Sequence, residues 1–426
     1  MTVDYRPMWT RLGLDLAKHD VLLEAVGAMY GDTFLSQANR PKGMAYFDFV
    51  MSEVHGLRIK EILDARDAGR IVVGSYCTFV PEEIILALDG VSVGLCAGAE
   101  WATDAAECYV PRNTCSLIKS AFGFALDKVC PYLAASTLVV GENTCDGKKK
   151  GWERFRELVP DFHVIDLPQR QGAEGRALLR AEYGRFADKL MALSGRRLTV
   201  ENLKAAIRTV NAKRAAMHRL DRLRCADPAP ISGLDALLAN QVFFYDDPVR
   251  FTTSVNAICD ELEQRVENRE GVAPQGAPRI VVSGCPMAVP NWKIHTIVER
   301  AGAVVVGDES CIGARGTQGL TADTGDTVES LMDAIVDRYL GIDCAIFSPN
   351  PTRLDHLRAI GKDAGADGIL LYSLQFCTPY LMESQAHEPL LEHGGMPVLR
   401  VDSDYSTADV GQLRTRIEAF IERVAQ

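Results

Sequence analysis

The sequence predicts an α/β protein: two doubly wound parallel-sheet (flavodoxin-like) domains, plus a helical region formed by the N-terminus and the middle of the chain. Three observations predict it. Short apolar runs alternate with helix-period segments from Ile71 to Leu167, and again from Arg279 onward, the pattern of βαβ units. Residues 173–270 between them keep a helical apolar period with no convincing strand. The Pro/Gly segment GVAPQGAP at 271–278 then marks a boundary. The expected division is a helical segment over 1–66, a first α/β domain over 67–172, a helical region over 173–272 and a second α/β domain over 273–426.

Each element has a local reason. Leu12, Leu16, Val21, Leu22 and Val26, then Phe49, Val50, Val54, Leu57 and Ile62, recur at helical spacing, and the polar DARDAGR at 64–70 ends that region. Strands are expected at Ile71–Val73, Val91–Leu95, Thr137–Val140 and His163–Leu167. Helices fall between them at 81–88, opened by Pro81 and two glutamates, at 111–128 with Asn113 or Thr114 as cap, and at 146–158. The middle helices run near 174–193, 199–224, 232–242 and 248–269. The second unit is expected to hold five strands: Arg279–Ser283, Ala303–Val306, Cys344–Phe347, Gly368–Tyr372 and Pro397–Val401. Its helices are Asn291–Arg300, Val328–Leu340, Arg353–Ala364, Pro379–Glu392 and Gly411–Arg423.

Composition narrows the function. The 426 residues are 47% hydrophobic and 24% charged, which excludes a disordered or collagen-like chain. A net charge of −11 argues against a nucleic-acid-binding surface. The first twenty residues contain no apolar signal core, and no apolar run reaches membrane-spanning length, so a cytoplasmic protein without membrane association is expected. Twelve cysteines are too few for a disulfide scaffold, and in a reducing compartment patterned thiols point to metal or redox chemistry.

Six cysteines follow predicted strands: Cys77, Cys96, Cys145, Cys285, Cys311 and Cys377. In open parallel sheets ligands bind outside the carboxyl ends of the strands. Cys115 falls at the start of a helix, where the dipole favours a thiolate, and Cys130 stands before Pro131. Cys77, Cys96, Cys115, Cys130 and Cys145 are spaced by 19, 19, 15 and 15 residues, without a CxxC knuckle. Single thiolates on separate loops suit an iron–sulfur cluster inside a cleft better than a zinc ribbon. Cys108, Cys225, Cys259 and Cys344 are read as packing residues, Cys344 because the amino end of its strand would face away from the site.

Other chemistry is sparser. The eight histidines show no HExxH or paired spacing. Glu82, Glu142, Asp146, Asp308 and Glu309 lie near strand ends, where they could relay protons, although capping or solvated roles suit most of them better. Arg315 could bind an anionic substrate group or pair with a carboxylate, and the lysine run 148–150 reads as a solvated face or a dock for an acidic partner. No phosphate-binding GxxxxGK[ST] loop occurs, so any ATP hydrolysis belongs to another protein.

Three long segments carry a family resemblance: GSYCTFVPEEIILALDGVSVGLCAG, PRNTCSLIKSAFGFAL and VCPYLAASTLVVGENTCDGKKKGWE. With SGCP, GDESCIGARG and VDSDYSTADVGQLRTRIEAFIE, the chain from about residue 70 resembles the double-cubane cluster proteins of the 2-hydroxyacyl-CoA dehydratase and benzoyl-CoA reductase superfamily. The resemblance implies a [4Fe–4S] cubane held by Cys115, Cys145 and Cys377. Double-cubane relatives carry six ligands to a sulfide-bridged [8Fe–9S] cluster. The further three would be Cys130, Cys311 and either Cys96 or Cys77, with Cys96 preferred because it directly ends a strand and Cys285 a lesser candidate. Cys108 has no counterpart role, and residues 1–66 contain no recognised motif.

The implied activity is that of an iron–sulfur reductase component in a homodimer. It would take low-potential electrons from a separate ATP-hydrolysing iron–sulfur activator and reduce a small molecule. The alternatives are a 2-hydroxyacyl-CoA dehydratase subunit with one [4Fe–4S] cluster, a lyase, and a non-enzymatic cluster carrier.

Overall fold

The computed structural model describes residues 3–159 and 161–426. Among these residues eight strands form two four-stranded parallel sheets. The first contains β1 (Val72–Ser75), β2 (Val91–Gly94), β3 (Leu138–Glu142) and β4 (Phe162–Ile165), in the order β2-β1-β3-β4. The second contains β5 (Arg279–Gly284), β6 (Val304–Glu309), β7 (Gly368–Leu374) and β8 (Val398–Ser403), in the order β6-β5-β7-β8. The two sheets therefore share one topology: the first strand of each lies between the second and the third. Central strands β1, β3, β5 and β7 are almost wholly buried, as their near-continuous apolar runs require of a sheet covered on both faces.

The strand expected at Cys344–Phe347 does not form. These residues make turns instead, with the Phe347 N–H donating to the Cys344 carbonyl. Pro349 and Pro351 follow at once and cannot donate to a ladder, so the apolar run has no sheet edge to join. The helix expected from residue 111 begins only at Ser116, and its cap is Cys115 rather than Asn113 or Thr114. Three short helices, Thr103–Ala106, Pro131–Ala135 and Ala314–Thr317, add to those that periodicity predicts.

The middle helices Ala173–Ser194, Val200–Leu223, Gly233–Val242 and Pro248–Glu267 match the helical-period segments. Every residue of Gly233–Val242 is buried, so this helix is a central pillar of the apolar core. Glu83, on the helix Glu82–Ala87, ties the first sheet's covering layer to a middle helix and to the helix Val328–Leu340 of the second unit: it accepts from Arg214 Nη1 at 2.7 Å and from the Tyr339 hydroxyl at 2.8 Å. The amide of Gly98, after β2, donates to the carbonyl of Val289, after β5, at 2.8 Å. A side chain at Gly98 would collide with the Ala288 carbonyl, so glycine permits this close approach of the two units. No described helix is long and apolar enough to cross a membrane.

Candidate metal centre

The carboxyl ends of both sheets open onto one cavity of about 620 Å³. Loops after β1, β2, β3, β5, β6 and β7 all reach its wall, and Gln241, Phe244 and Tyr245 from the end of the central pillar close one side. Cys77, Cys96, Cys115, Cys145, Cys285, Cys311, Cys344 and Cys377 line it together.

Their positions match between the two units. Cys96 and Cys311 each stand two residues past the second strand of their sheet, and Cys145 and Cys377 each stand three residues past the third. Cys77 and Cys285 follow the two first strands. Cys115 and Cys344 each lie between the second and third strands. Cys344 is packed in the apolar core as expected, but the reading that it faces away is corrected: without a strand at 344–347 the residue also reaches the cavity wall.

Of the expected ligands, Cys96, Cys115, Cys145, Cys311 and Cys377 lie on the wall, as do both Cys77 and Cys285. Cys130 is not among the lining residues; its Sγ caps the helix Pro131–Ala135 by accepting from the Leu133 N–H at 3.4 Å. Cys225 and Cys259 lie in other packing regions, and Cys108 is exposed.

Local structure fixes several thiols. Cys115, Cys145 and Cys377 each occupy the cap position of a following helix, and the Cys145 Sγ accepts from the Lys148 N–H at 3.5 Å. The Cys285 Sγ accepts from the Leu374 N–H at 3.3 Å. Contact with Cys377 and burial hold the Cys115 thiol well above its ordinary pKa. At Cys377 the hydrogen bond with Cys115 pulls the other way, but contact with Cys285 and burial prevail. Burial pushes Cys96 and Cys344 up to about 12.

Two cations stand by the thiols. Lys148 pairs with Glu142 at the end of β3, and Glu142 also accepts from the Thr144 hydroxyl at 3.0 Å. Burial opposes the Lys148 charge, but Glu142, Cys77 and Cys96 outweigh it and raise its pKa. The lysine run is therefore split: Lys148 faces inward while Lys149 and Lys150 are exposed. Arg315 donates to Glu309 at 2.8 Å, and its Nη1 reaches the Cys311 Sγ. Arg315 and Arg353 both stack on the Tyr380 ring, with guanidinium carbons 5.1 and 4.7 Å from its centroid. Sequence reasoning points to Arg315 but misses Arg353 and Tyr380, whose partners lie on distant segments. Glu82 and Asp308 are likewise committed to ion pairs, with Lys213 and with Arg224 and His295.

The donor chemistry fits a thiolate-bound cluster. Eight thiols on separate loops share one largely apolar chamber, and a buried Glu142 oxygen beside it has no hydrogen-bond partner. Among the described residues no three Cys, His, Asp or Glu side chains converge as a site for a single metal ion.

Comparison with known proteins places this architecture. The family model for the 2-hydroxyglutaryl-CoA dehydratase D-component matches residues 77–424. The chain belongs to this family. It is 37% identical over 381 residues to the putative dehydratase subunit YjiM of Escherichia coli (strain K12), covering 89% of this chain and 97% of that protein. The (R)-phenyllactyl-CoA dehydratase beta subunit of Clostridium sporogenes is 24% identical over 358 residues, covering 83% of this chain and 92% of the relative. A benzoyl-CoA reductase subunit of Thauera aromatica is 21% identical over 365 residues, covering 84% of this chain and 92% of its own length. This dehydratase-family chain thus falls within the wider 2-hydroxyacyl-CoA dehydratase and benzoyl-CoA reductase superfamily, whose members are associated with iron–sulfur clusters.

Proposed function

We propose that the chain is an iron–sulfur subunit of a 2-hydroxyacyl-CoA dehydratase, a lyase that works with a partner subunit and a separate ATP-hydrolysing activator. The observation that carries this reading is the match of the D-component family over residues 77–424, with dehydratase subunits among the relatives. Cys115, Cys145 and Cys377 are the proposed ligands of one [4Fe–4S] cluster. Their helix-cap positions favour thiolates, and metal binding would displace the protons that burial otherwise holds on them. The bound cluster supplies one-electron redox chemistry and an iron able to accept an oxygen ligand.

The chain's own residues do the rest. The wall around the thiols is largely apolar. Lys148 holds a positive charge beside the Cys77 and Cys96 sulfurs, and Glu142 fixes its ammonium. Arg315, anchored by Glu309, does the same beside Cys311. A cluster carrier would need accessible thiolates, whereas Cys115, Cys285 and Cys344 are buried.

One observation favours a second reading, the double-cubane reductase component. Cys311, Cys344 and either Cys96 or Cys77, all on the same cavity as the first three ligands, would provide the three further thiolates. On this reading Cys344 replaces Cys130 in the ligand set.

Iron and sulfide analysis of protein purified without oxygen separates the two. About four irons per chain, lost in Cys115→Ala, Cys145→Ala or Cys377→Ala and kept in Cys311→Ala and Cys344→Ala, supports the dehydratase subunit. About eight irons, halved by Cys311→Ala or Cys344→Ala, supports the double cubane. Loss of water from a 2-hydroxyacyl-CoA in the presence of activator and partner subunit tests the activity. Its absence with a fully loaded cluster would overturn the dehydratase reading.

A further inference from the structure

A second cavity, of about 900 Å³, lies at the opposite end of β2 from the thiols. Gly94 and Cys96, at the carboxyl end of that strand, line the cluster cavity, whereas Val91 and Ser92, at its amino end, line this one. Among the described residues no cysteine borders it, and neither reading above gives it a role.

Its wall concentrates positive charge in a chain whose net charge is −11. Arg58, Arg70, Arg196, Arg197 and Arg250 all line it. Four carboxylates stand among them, Glu61, Glu82, Asp89 and Asp247, but two are already engaged. Buried Lys213 donates to both oxygens of Glu82 at 2.8 Å, and Asp247 accepts from the Val249 and Arg250 N–H groups at 3.0 Å.

Most of these guanidiniums are fixed in place by the protein. Arg58 donates to the Tyr245 carbonyl at 2.7 Å and to Glu61 at 2.9 Å. Arg250 donates to Glu61 at 2.8 Å and pairs with Asp246. Arg70 donates to the Asp89 carbonyl at 2.9 Å, and Arg196 to the Asp89 carboxylate at 2.7 Å. No set of contacts uses all five N–H donors of its guanidinium. Arg197 is exposed and makes no ion pair among the described residues. Its carbonyl accepts from the Asn202 side chain at 2.9 Å, which ties the Arg196–Arg197 loop to the start of the helix Val200–Leu223. Guanidiniums fixed in this way lose little freedom when they bind an anion, and their fork matches phosphate oxygens.

The backbone adds to the same field. The helices Val200–Leu223 and Pro248–Glu267 both begin at the cavity, with Thr199 and Asn202, then Asp247 and Pro248, on its wall. The Val91 and Leu95 N–H groups donate to the Ile71 and Ser75 carbonyls beside β2, while the Gly94 N–H, on the outer edge, donates to the Phe244 carbonyl. By strand alternation the Ser92 N–H lies on that outer edge too, and it has no protein acceptor among the described residues. No aromatic side chain lines the cavity among those residues, so recognition falls to the charged part of a ligand rather than to a stacked ring.

We infer that this cavity is a binding site for an anion carrying linked phosphate groups, distinct from the cluster cavity, with Arg196 and Arg197 as its accessible donors. Cations spread around a space of this size suit two joined phosphates better than one. Inorganic pyrophosphate and a nucleoside diphosphate present the same group, and the cavity reads that shared chemistry.

The test is calorimetric titration of the full chain, purified without oxygen, with pyrophosphate, ADP and orthophosphate. Pyrophosphate is expected to bind one per chain and at least about tenfold more tightly than orthophosphate. Arg196→Ala combined with Arg197→Ala is expected to weaken that binding by about tenfold or more. The melting temperature should stay the same, since both residues are exposed and the lost pair with Asp89 is a surface one. ADP binding as tightly as pyrophosphate supports the site and assigns it to nucleotides; ADP binding much more weakly supports it and assigns it to the inorganic anion. Absence of saturable pyrophosphate binding, equal binding of orthophosphate, or undiminished binding by the double variant overturns the inference. Iron content and dehydration activity are separate measurements, so these outcomes leave the dehydratase reading standing.

Discussion

The Nη1 of Arg315 lies 3.8 Å from the Sγ of Cys311. The guanidinium cannot drift from that position: it donates to Glu309 at 2.8 Å and to the Gly284 carbonyl at 2.8 Å, and its side chain is fully buried. Glu309 is held in turn by Ser283 at 2.6 Å and Arg353 at 3.2 Å. One charged residue therefore connects a cavity thiol to the ends of both β5 and β6.

Removing that residue leaves the buried Glu309 carboxylate with Ser283 and the more distant Arg353 as its partners. Arg315→Leu is expected to destabilise the protein by roughly 3–5 kcal/mol, as when one partner of a buried pair is removed. Arg315→Lys should cost less but not nothing, since an ammonium cannot reproduce the forked contacts. Urea unfolding of the two variants beside the parent measures both.

Glu299 gives a stability loss on the neutral side. Its carboxylate accepts from the Gly233 N–H at 2.6 Å and the Leu234 and Val305 N–H groups at 3.3 Å. Burial pushes its pKa from 4.5 up to about 7, against the pull of His295 and of these amides. Between those values the unfolded chain has released the proton that the folded chain keeps, so stability falls as pH rises from 4.5 to 7 and then levels off. The contribution is roughly 3 kcal/mol. Glu299→Gln should flatten this part of the stability–pH curve, measured by denaturant unfolding at closely spaced pH values.

Glu83 gives the opposite slope in acid. Burial opposes its charge, but Arg214 and Arg338 hold its pKa down at about 2 instead of 4.5. Its stabilisation is present above pH 4.5 and is lost as pH falls through 2, again roughly 3 kcal/mol. Glu83→Gln should remove that acid slope, and Arg214→Met should lower stability at neutral pH by roughly 3–5 kcal/mol. Acid titration followed by circular dichroism reads the first, and thermal melting the second.

Gly284 ends β5, just before Cys285, with φ +138°, and a Cβ there would collide with the Tyr372 carbonyl. Gly284→Ala is expected to cost more than about 2 kcal/mol, through both the backbone state and the clash. It should also speed alkylation of Cys285, which is 1% exposed in the native packing. Thermal melting and peptide-resolved iodoacetamide labelling check the two effects.

Much of this arrangement is legible along the chain. Parallel strands have a polarity, so cysteines following strands fall at the ligand-bearing end of a sheet, which brings Cys77, Cys96, Cys145, Cys285, Cys311 and Cys377 forward together. Cys344 escapes that logic because an apolar tetrapeptide reads as a strand until Pro349 and Pro351 are weighed against it. Cys130 enters the expected ligand set by resemblance, and it caps its own helix as Cys145 does, but it is not among the residues on the cavity wall.

The sequence by itself determined the alternation of strands and helices, the strandless middle and the positions of most wall cysteines, since these follow from short-range periodicity and chain polarity. Only the tertiary structure decided which thiols share a wall and which carboxylate holds which cation. Those relationships join residues up to 300 positions apart, such as Cys77 and Cys377 on one cavity, and no local pattern encodes the direction a side chain takes across such a span.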